Sequence, residues 1–249
     1  MPYWVALLVS FAGLAISVAA GELALALHTS ATNAASAVLF FLLDGTGAWA
    51  VTTLLTIVLK MGVGRLRPDF LARCAPEEPS VAPLPAFGRT ASDNPKCTAP
   101  SSSHLTDGHF SFPSGHTSTV FVLAVYSCCY CVWAFWGRVP ASGRARAKGG
   151  LAARLARDGG AAAALAWTLW LLCFAWGVSA SRIIDFKHHV GDVAAGALLG
   201  SLFGGLFAGR AILCHRCCLA EEEEPLGGDG MLLAPCAAAG GGPSSSAPV

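Results

Sequence analysis

The chain has 249 residues, of which 54% are hydrophobic and only 12% are charged. A soluble domain usually carries about 25% charged residues, so this composition excludes an ordinary soluble protein and predicts a lipid environment. The net charge of +1 also excludes nucleic-acid binding through bulk positive charge.

Five apolar stretches are each long enough to cross a bilayer when the chain is read with a window of about 19 residues. They cover residues 4–27, 37–59, 120–136, 161–178 and 193–213. Glu22 in the first stretch and Asp44 in the second are isolated, which favours a helix-packing role over an ion path. The repeated glycines of the fifth would let another helix approach closely. The predicted fold is therefore all-α, a bundle of membrane-spanning helices.

Basic residues between the third and fourth spans predict the orientation. The segment 138–157 contains six lysines and arginines, and such segments stay on the cytoplasmic side. By alternation, the loop 61–115 faces the lumen or the exterior. The membrane domain is predicted to cover residues 1–218. A disordered cytoplasmic tail, 219–249, follows, because it begins with an acidic run and ends in Gly, Pro and Ser.

Two groups of cysteines have predicted chemistry. Cys74 and Cys97 share the long loop, and a disulfide between them is open if that loop is lumenal. Cys214, Cys217 and Cys218 follow the fifth span, a placement that suits palmitoylation. A zinc site with His215 is the weaker alternative, since no second ligand cluster follows.

The first candidate motif is Lys60, which closes the second span, with Arg67-Pro68 seven residues later. Pro68 ends any helix before it. Taken alone, the motif is better interpreted as a basic collar at the membrane surface.

The second motif is Pro113-Ser114-Gly115-His116, immediately before an apolar run. This order predicts a turn that places the Ser114 and Gly115 amides at a helix N-terminus, where free N–H groups bind anions. A plain turn with a capping serine is an equal alternative for this segment alone.

The third motif is Ser181-Arg182, then His188, then Asp192. On a helix, His188 and Asp192 would share one face because they are four residues apart. The carboxylate would then accept from one imidazole nitrogen and leave the other as a nucleophile. An interfacial His-Asp pair without a catalytic role is the alternative.

Topology connects the three motifs, because they end span two, begin span three and lie between spans four and five. Successive crossings alternate, so all three emerge on the same face of the membrane. Together they offer cations and helix-terminal amides, which are the groups that stabilise the charge of a phosphoryl group. No metal cluster is apparent.

The three motifs resemble the tripartite signature of the type 2 phosphatidic acid phosphatases, and the text around them is similar to the lipid phosphate phosphatase branch. The matching residues are Lys60-x6-Arg67-Pro68, Pro113-Ser114-Gly115-His116 and Ser181-Arg182-x5-His188-x3-Asp192. The resemblance implies an integral membrane phosphatase that acts on phosphatidic acid, lysophosphatidic acid or sphingosine 1-phosphate through a phosphohistidine, without a cofactor or metal.

The resemblance also implies a role for each residue. His188 attacks phosphorus, Asp192 orients it, and His116 protonates the leaving alkoxide and then activates water. The phosphoryl oxygens are held by Lys60, Arg67, Arg182 and the amides of Ser114 and Gly115. His189 is left out, because on a helix it would point about 100° away from His188.

The sequence departs from the family in its number of spans, since members normally have six and five are found here. A leading span is therefore expected upstream of this sequence. Two alternatives stay open for the function, a polyprenyl diphosphate phosphatase and a non-catalytic membrane protein that binds lipids. The sequence leaves the lipid tail, the membrane and homo-oligomerisation open.

Overall fold

The computed structural model describes residues 1–26, 32–75, 97–98, 103–138 and 151–223. The regular elements in this part of the chain are helices, and a π-helical segment, Trp133–Arg138, extends the fifth of them. They are α1 (Tyr3–Ala26), α2 (Thr32–Val63), α3 (Phe70–Cys74), α4 (Ser103–Asp107), α5 (Gly115–Val132), α6 (Leu151–Ile184) and α7 (Val190–Glu223).

Five of these helices, α1, α2, α5, α6 and α7, are long and apolar enough to cross a membrane. The predicted all-α bundle and its five spans are confirmed. Some of the predictions lie outside the described residues. They concern residues 80–96 of the long loop, 139–150 of the basic segment, 224–249 of the tail and the Cys218 side chain.

Helix α5 is the centre of the bundle, because it contacts each of the other four long helices. It buries aromatic and aliphatic side chains along most of its length, including Val122, Tyr126 and Tyr130. Its first turns are polar, and Thr117, Ser118 and Thr119 are nevertheless buried. The N-terminus of α5 is therefore held in the middle of one end of the bundle.

Three glycines of α7 allow that helix to pack directly on the backbone of α5. A Cβ atom would lie 2.7 Å from the Ser114 carbonyl oxygen at Gly196, and 2.5 Å from the Ser118 carbonyl oxygen at Gly200. At Gly204 it would lie 2.6 Å from a third carbonyl oxygen of α5. The predicted close approach through small residues is confirmed. It brings the start of α7 against the start of α5.

The two carboxylates within the apolar spans connect helices. Glu22 of α1 accepts a hydrogen bond of 2.8 Å from the Tyr130 hydroxyl of α5. Asp44 of α2 accepts one of 3.0 Å from Tyr126, also of α5, and pairs with Arg210 of α7. Both residues therefore have the helix-packing role that their isolation in the sequence favours.

The described part of the long loop is held by a disulfide between Cys74 and Cys97. The pairing that the sequence left open is thus present in the structure. Next to it, Phe70 is buried in a small cluster with Leu66 and Leu105. This cluster fixes α3 and α4 over the end of the bundle at which α5 begins.

Candidate active site

A cavity of about 510 Å³ opens at one end of the bundle. It lies where α2 ends, α5 begins, α6 ends and α7 begins. Members of all three sequence motifs line it, namely Lys60, Arg67, Gly115, His116, Arg182 and His188. The structure therefore brings together three motifs that are far apart in the sequence.

The first motif reaches the cavity through the end of α2 and the turn that follows. Lys60 lies in the last turn of α2, and its ammonium donates to the Phe110 carbonyl oxygen at 3.4 Å. The chain then reverses at Gly64, whose φ of 59° is a conformation that only glycine adopts without strain. The Arg67 amide donates to the Gly108 carbonyl oxygen at 2.9 Å. Arg67 is thus fixed by its backbone on the loop before α5.

The second motif forms a turn and a helix start, as the sequence predicts, but its amides differ in availability. Ser114 is extended, with φ −72° and ψ 112°, and its side chain does not cap α5. Its amide donates to the Asp192 carbonyl oxygen at 3.0 Å, and the residue is fully buried. The prediction that this amide binds the phosphoryl group is therefore wrong, because packing of α7 on α5 already uses it.

Gly115 keeps the position predicted for it. It lines the cavity as the first residue of α5, where helical geometry leaves backbone N–H groups without an intrahelical acceptor. A Cβ atom here would lie 3.8 Å from the Lys60 ammonium nitrogen. The first residue of α5 and the Lys60 ammonium therefore lie next to each other at the cavity.

His116 follows on the first turn of α5 and also lines the cavity. Its ring meets the Tyr3 ring edge-on, with centroids 5.0 Å apart. Its Nε2 atom is buried and has no hydrogen-bond partner among the described residues. Buried polar atoms are rarely left unpaired, so this nitrogen is an atom for which a ligand is the natural partner.

The third motif departs from the predicted single helix. Helix α6 ends at Ile184, and α7 begins only at Val190, so His188 lies in the turn between them. The backbone amides of Lys187 and His188 both donate to the Arg182 carbonyl oxygen, at 3.0 and 3.2 Å. The prediction that His188 and Asp192 share one helical face is therefore wrong.

Because His188 lies in this turn, its ring contacts a backbone carbonyl and not the carboxylate. Its Nδ1 atom is 2.7 Å from the Ser111 carbonyl oxygen and 3.9 Å from Asp192 Oδ2. A carbonyl oxygen only accepts, so Nδ1 carries the proton. Neutral His188 then presents an unprotonated Nε2.

Asp192 lies in the first turn of α7 and is fully buried. It accepts hydrogen bonds from Arg65 Nη1 at 2.6 Å, from Ser111 Oγ at 2.5 Å and from the His189 amide at 2.8 Å. The last contact reaches back from the third helical position to the residue before the helix, as in a capping box.

Sequence reasoning missed these partners of Asp192. Arg65 stands two residues before Arg67, and Ser111 stands before the Pro113 turn, but neither carries a mark of its role. His189 was excluded on helical geometry, yet it precedes α7, and its Nδ1 is 3.2 Å from Asp192 Oδ2. Only the fold reveals which polar groups face the buried carboxylate.

The electrostatics of the cavity favour neutral His188. Burial lowers its pKa, and the cations Lys60 and Arg67 lower it further, although the Asp192 carboxylate and the Ser111 carbonyl act in the opposite direction. The neutral form, which has a nucleophilic lone pair, therefore persists below the ordinary titration range of histidine. This nitrogen lies among cations that would attract an anionic substrate.

Two of the cavity arginines are paired with carboxylates that remain accessible. Arg67 binds Asp107 at 2.7 Å, and the Asp107 side chain is 52% exposed. Arg182 binds Asp185 at 2.9 Å, and the Asp185 side chain is 46% exposed. An incoming anion would compete with these carboxylates without disturbing the buried core.

Two further cations line the cavity. Arg73 and Lys187 line the cavity as well, and both bind Asp69. Burial acts to raise the pKa of Asp69, but hydrogen bonds from Arg73 and Lys187 outweigh it and lower the pKa. Among the residues that the structure describes, no three His, Cys, Asp or Glu side chains come together in a way that could hold a metal ion.

A family model for the PAP2 superfamily matches residues 41–210. The chain belongs to the PAP2 superfamily. The match includes every motif residue from Lys60 to Asp192. It also includes the four helix ends that form the cavity, but it does not include α1. Tyr3, which lies against His116, is outside the region that this PAP2 model covers.

Three curated relatives are similar to this PAP2 chain over about the same stretch. A putative phosphatidate phosphatase of Drosophila melanogaster is 30% identical over 163 residues, which are 61% of this chain and 36% of the relative. Diacylglycerol pyrophosphate phosphatase 1 of Saccharomyces cerevisiae is 33% identical over 160 residues, 64% of this chain and 47% of the relative. Phospholipid phosphatase 2 of Homo sapiens is 30% identical over 163 residues, which are 63% of this chain and 46% of the relative.

The matched part of the chain thus corresponds to less than half the length of each of these relatives. No solved structure matches the chain.

Proposed function

We propose that this chain is an integral membrane phosphatase that hydrolyses phosphatidic acid and related lipid phosphates to the dephosphorylated lipid and inorganic phosphate. Lysophosphatidic acid and sphingosine 1-phosphate are the related substrates. The observation that carries the proposal is the cavity itself. Four helix ends of a membrane bundle deliver two histidines, three cations and a helix N-terminus to it. The relatives named as phosphatidate or phospholipid phosphatases support it.

In the first step, the Nε2 lone pair of His188 attacks phosphorus. The bond from phosphorus to the lipid oxygen breaks, and protonated His116 gives its proton to the departing alkoxide. The Ser111 carbonyl keeps the proton of His188 on Nδ1 throughout, so that Nε2 is the free atom. Asp192 is 3.9 Å from that ring and stabilises the positive phosphohistidine.

In the second step, His116 takes a proton from water, and the resulting hydroxide attacks the phosphohistidine. The bond between phosphorus and Nε2 breaks, inorganic phosphate leaves, and neutral His188 is restored. His116 thereby regains the proton that it gave in the first step, so the cycle is balanced. Its buried Nε2, which has no partner among the described residues, is the atom assigned to this transfer.

Charge on the transferring group is met by the protein. Lys60, Arg67 and Arg182, with the Gly115 amide, would hold the phosphoryl oxygens, and all four residues line the same cavity as His188. Such preorganised donors stabilise the transition state more than the ground state. The proposal assigns no step to a metal ion.

The proposed location of the cavity is the lumenal or extracellular face. Support comes from the basic residues of 138–157, which favour the cytoplasm for the opposite end of α5 and α6. A cysteine introduced at Thr106, an exposed residue next to the cavity-lining Asp107, should react with an impermeant maleimide added outside right-side-out vesicles, above the background of the protein without it. Reaction of this cysteine only in inside-out vesicles, where the cytoplasmic face is exposed to the reagent, would contradict this placement.

A lipid diphosphate is the second candidate substrate, and one observation favours it. Arg73 and Lys187 line the cavity in addition to Lys60, Arg67 and Arg182, so the lining carries more positive charge than a single phosphate group needs. The yeast relative is named a diacylglycerol pyrophosphate phosphatase. Both a polyprenyl diphosphate and a diacylglycerol diphosphate would match the positive charge of the cavity lining.

Phosphate release by the purified protein in detergent tests both candidates. The panel contains phosphatidic acid, lysophosphatidic acid, sphingosine 1-phosphate, diacylglycerol diphosphate and a polyprenyl diphosphate, each with EDTA present. We expect release from the monophosphates, and its loss in the His188→Ala variant. No release from any monophosphate, or a strict requirement for added Mg²⁺, would overturn the proposal. A properly folded wild-type protein that binds lipid phosphates without turnover would identify a non-catalytic lipid-binding protein.

A further inference from the structure

Three of the arginine–carboxylate pairs around the cavity, those of Arg65, Arg67 and Arg182, differ in exposure. Asp107 and Asp185, the partners of two arginines that line the cavity, are about half exposed. The third pair is different, because the Arg65 side chain is 9% exposed and that of Asp192 is fully buried. Arg65 does not line the cavity. It is therefore placed to hold Asp192 permanently and not to exchange its partner for a substrate.

The Asp192 carboxylate is occupied by donors other than the His188 ring. Arg65 Nη1 is 2.6 Å from Oδ1, while Ser111 Oγ and the His189 amide lie at 2.5 and 2.8 Å from Oδ2. The His188 ring nitrogen is 3.9 Å away, beyond hydrogen-bond distance. Asp192 therefore does not orient the His188 ring through a direct hydrogen bond.

Ser111 supplies the missing connection. Its amide donates to the Arg65 carbonyl oxygen at 2.8 Å, and its hydroxyl donates to Asp192. Its carbonyl oxygen accepts from His188 Nδ1 at 2.7 Å. The residue is fully buried, so water does not compete for these three hydrogen bonds. Any shift of Arg65 or Asp192 moves the carbonyl that fixes the tautomer of His188.

We propose that Arg65 is a positioning residue for His188, which it orients through Asp192 and Ser111 without touching the substrate. The inference rests on the proposed function, because it concerns the nucleophile of that reaction. It adds a buried link between the first and third motifs, and it assigns to two neighbouring arginines opposite tasks. Arg67 binds the substrate, and Arg65 sets the geometry of the group that attacks it.

Charge makes the link sensitive to pH. Without the Arg65 guanidinium, the buried negative charge of Asp192 is compensated less and stabilises protonated His188 more strongly. The other charged or titratable groups around His188 and Asp192 stay in place. They are Lys60 of α2, Arg67 of the loop, Arg73 of α3, Asp107 of α4, His116 of α5, Arg182 of α6, and Lys187 and His189 of the turn before α7. The acid limb of kcat/KM therefore moves to higher pH when Arg65 is neutralised.

The test compares Arg65→Gln with wild type on the lipid monophosphate that the wild-type protein hydrolyses. We expect kcat to fall about tenfold or more, as for other outer partners of a functional histidine. KM should change little, and the acid limb should shift upward. Arg65→Lys, which keeps the charge, should recover part of kcat and all of the pH profile. Arg210→Gln removes an arginine from a buried aspartate at the other end of the bundle. This control should leave kcat and the acid limb unchanged.

A double-mutant cycle separates positioning from a general loss of structure. If Arg65 acts through Asp192, Arg65→Gln should cost almost nothing in kcat when Asp192→Asn is already present. Full additivity of the two losses, or an unchanged kcat and pH profile in an Arg65→Gln protein with wild-type elution and melting temperature, would overturn the inference alone. Absence of turnover in the wild type would overturn the proposed function and this inference together.

Discussion

The two ends of the helix bundle both contain buried polar residues, but they are built differently. At one end, Glu22 and Asp44 accept hydrogen bonds from tyrosines of α5, and Arg210 adds one cation. At the other end, five cations line one cavity: Lys60, Arg67, Arg73, Arg182 and Lys187.

The difference shows what distinguishes a structural polar cluster from a candidate site. Ionisable groups within membrane spans are expensive and are usually functional, yet Glu22 and Asp44 are explained by helix packing. The site end combines an excess of one charge, an open volume and a buried His116 nitrogen without a partner among the described residues. An isolated carboxylate in a span has neither the excess of one charge nor the open volume.

The largest expected effect is at the site end. His188→Ala should reduce phosphate release by at least about 100-fold, because a nucleophile or acid–base group contributes that much or more. The variant should still fold in detergent with a lower melting temperature, because the buried ring and its hydrogen bond to the Ser111 carbonyl oxygen are lost, so rates are compared on folded protein. A variant that retains more than about a tenth of the wild-type rate would refute the role of His188.

At the end of the bundle that contains Asp44, a substitution should lower stability and leave kcat unchanged. Tyr126→Phe removes the hydroxyl whose one proton is shared between Asp44, at 3.0 Å, and the Phe41 carbonyl oxygen, at 3.2 Å. We expect a loss of about 1.5–3 kcal/mol in the free energy of unfolding, as for hydrogen bonds to charged groups. The kcat of the surviving folded protein should be unchanged. A large fall in kcat without a change in stability would mean that the two ends are coupled.

The glycine contact between α5 and α7 should show a smaller effect that depends on position. Gly200→Ala would put a Cβ atom 2.5 Å from the Ser118 carbonyl oxygen, so the helices must separate. Overpacking of this kind costs about 1–3 kcal/mol. Gly205→Ala is the matched control, because no atom lies within 4 Å of its added Cβ. Equal melting temperatures of the two variants would contradict the packing assigned to this stripe.

The smallest effect concerns the exposed carboxylate of Asp107. Asp107→Asn should lower KM for a lipid phosphate about two- to fivefold, since exposed ion pairs contribute up to about 1 kcal/mol. The reason is that Arg67 would no longer have to give up a charged partner. Asp158→Asn changes the same charge near the other end of α6 and should leave KM unchanged. A raised KM in Asp107→Asn would show that this carboxylate assists binding.

The sequence was sufficient for the spans and for the meeting of the motifs. Apolar length identifies the five helices, and alternation of crossings puts Lys60, Gly115 and Arg182 at one end. Both inferences depend only on local composition and on chain order. They needed no knowledge of side-chain contacts.

The contacts of the site could not be predicted, because long-range packing sets them. The spacing of His188 and Asp192 suits a helix, but a turn interrupts it before Val190. Arg65 and Arg67 are chemically identical, and only the fold directs the first to Asp192 and the second to Asp107.

Detection of the covalent intermediate tests the central claim most directly. Wild-type protein in detergent with EDTA would be mixed with lipid phosphate, quenched in alkaline detergent to preserve phosphohistidine, and analysed by peptide mass spectrometry. We predict that the peptide containing His188 carries a phosphate and that the phosphate is on His188. The same peptide of the His188→Ala variant should carry none. A phosphate on another residue, or rapid turnover with no phosphorylated peptide at any quench time, would contradict it.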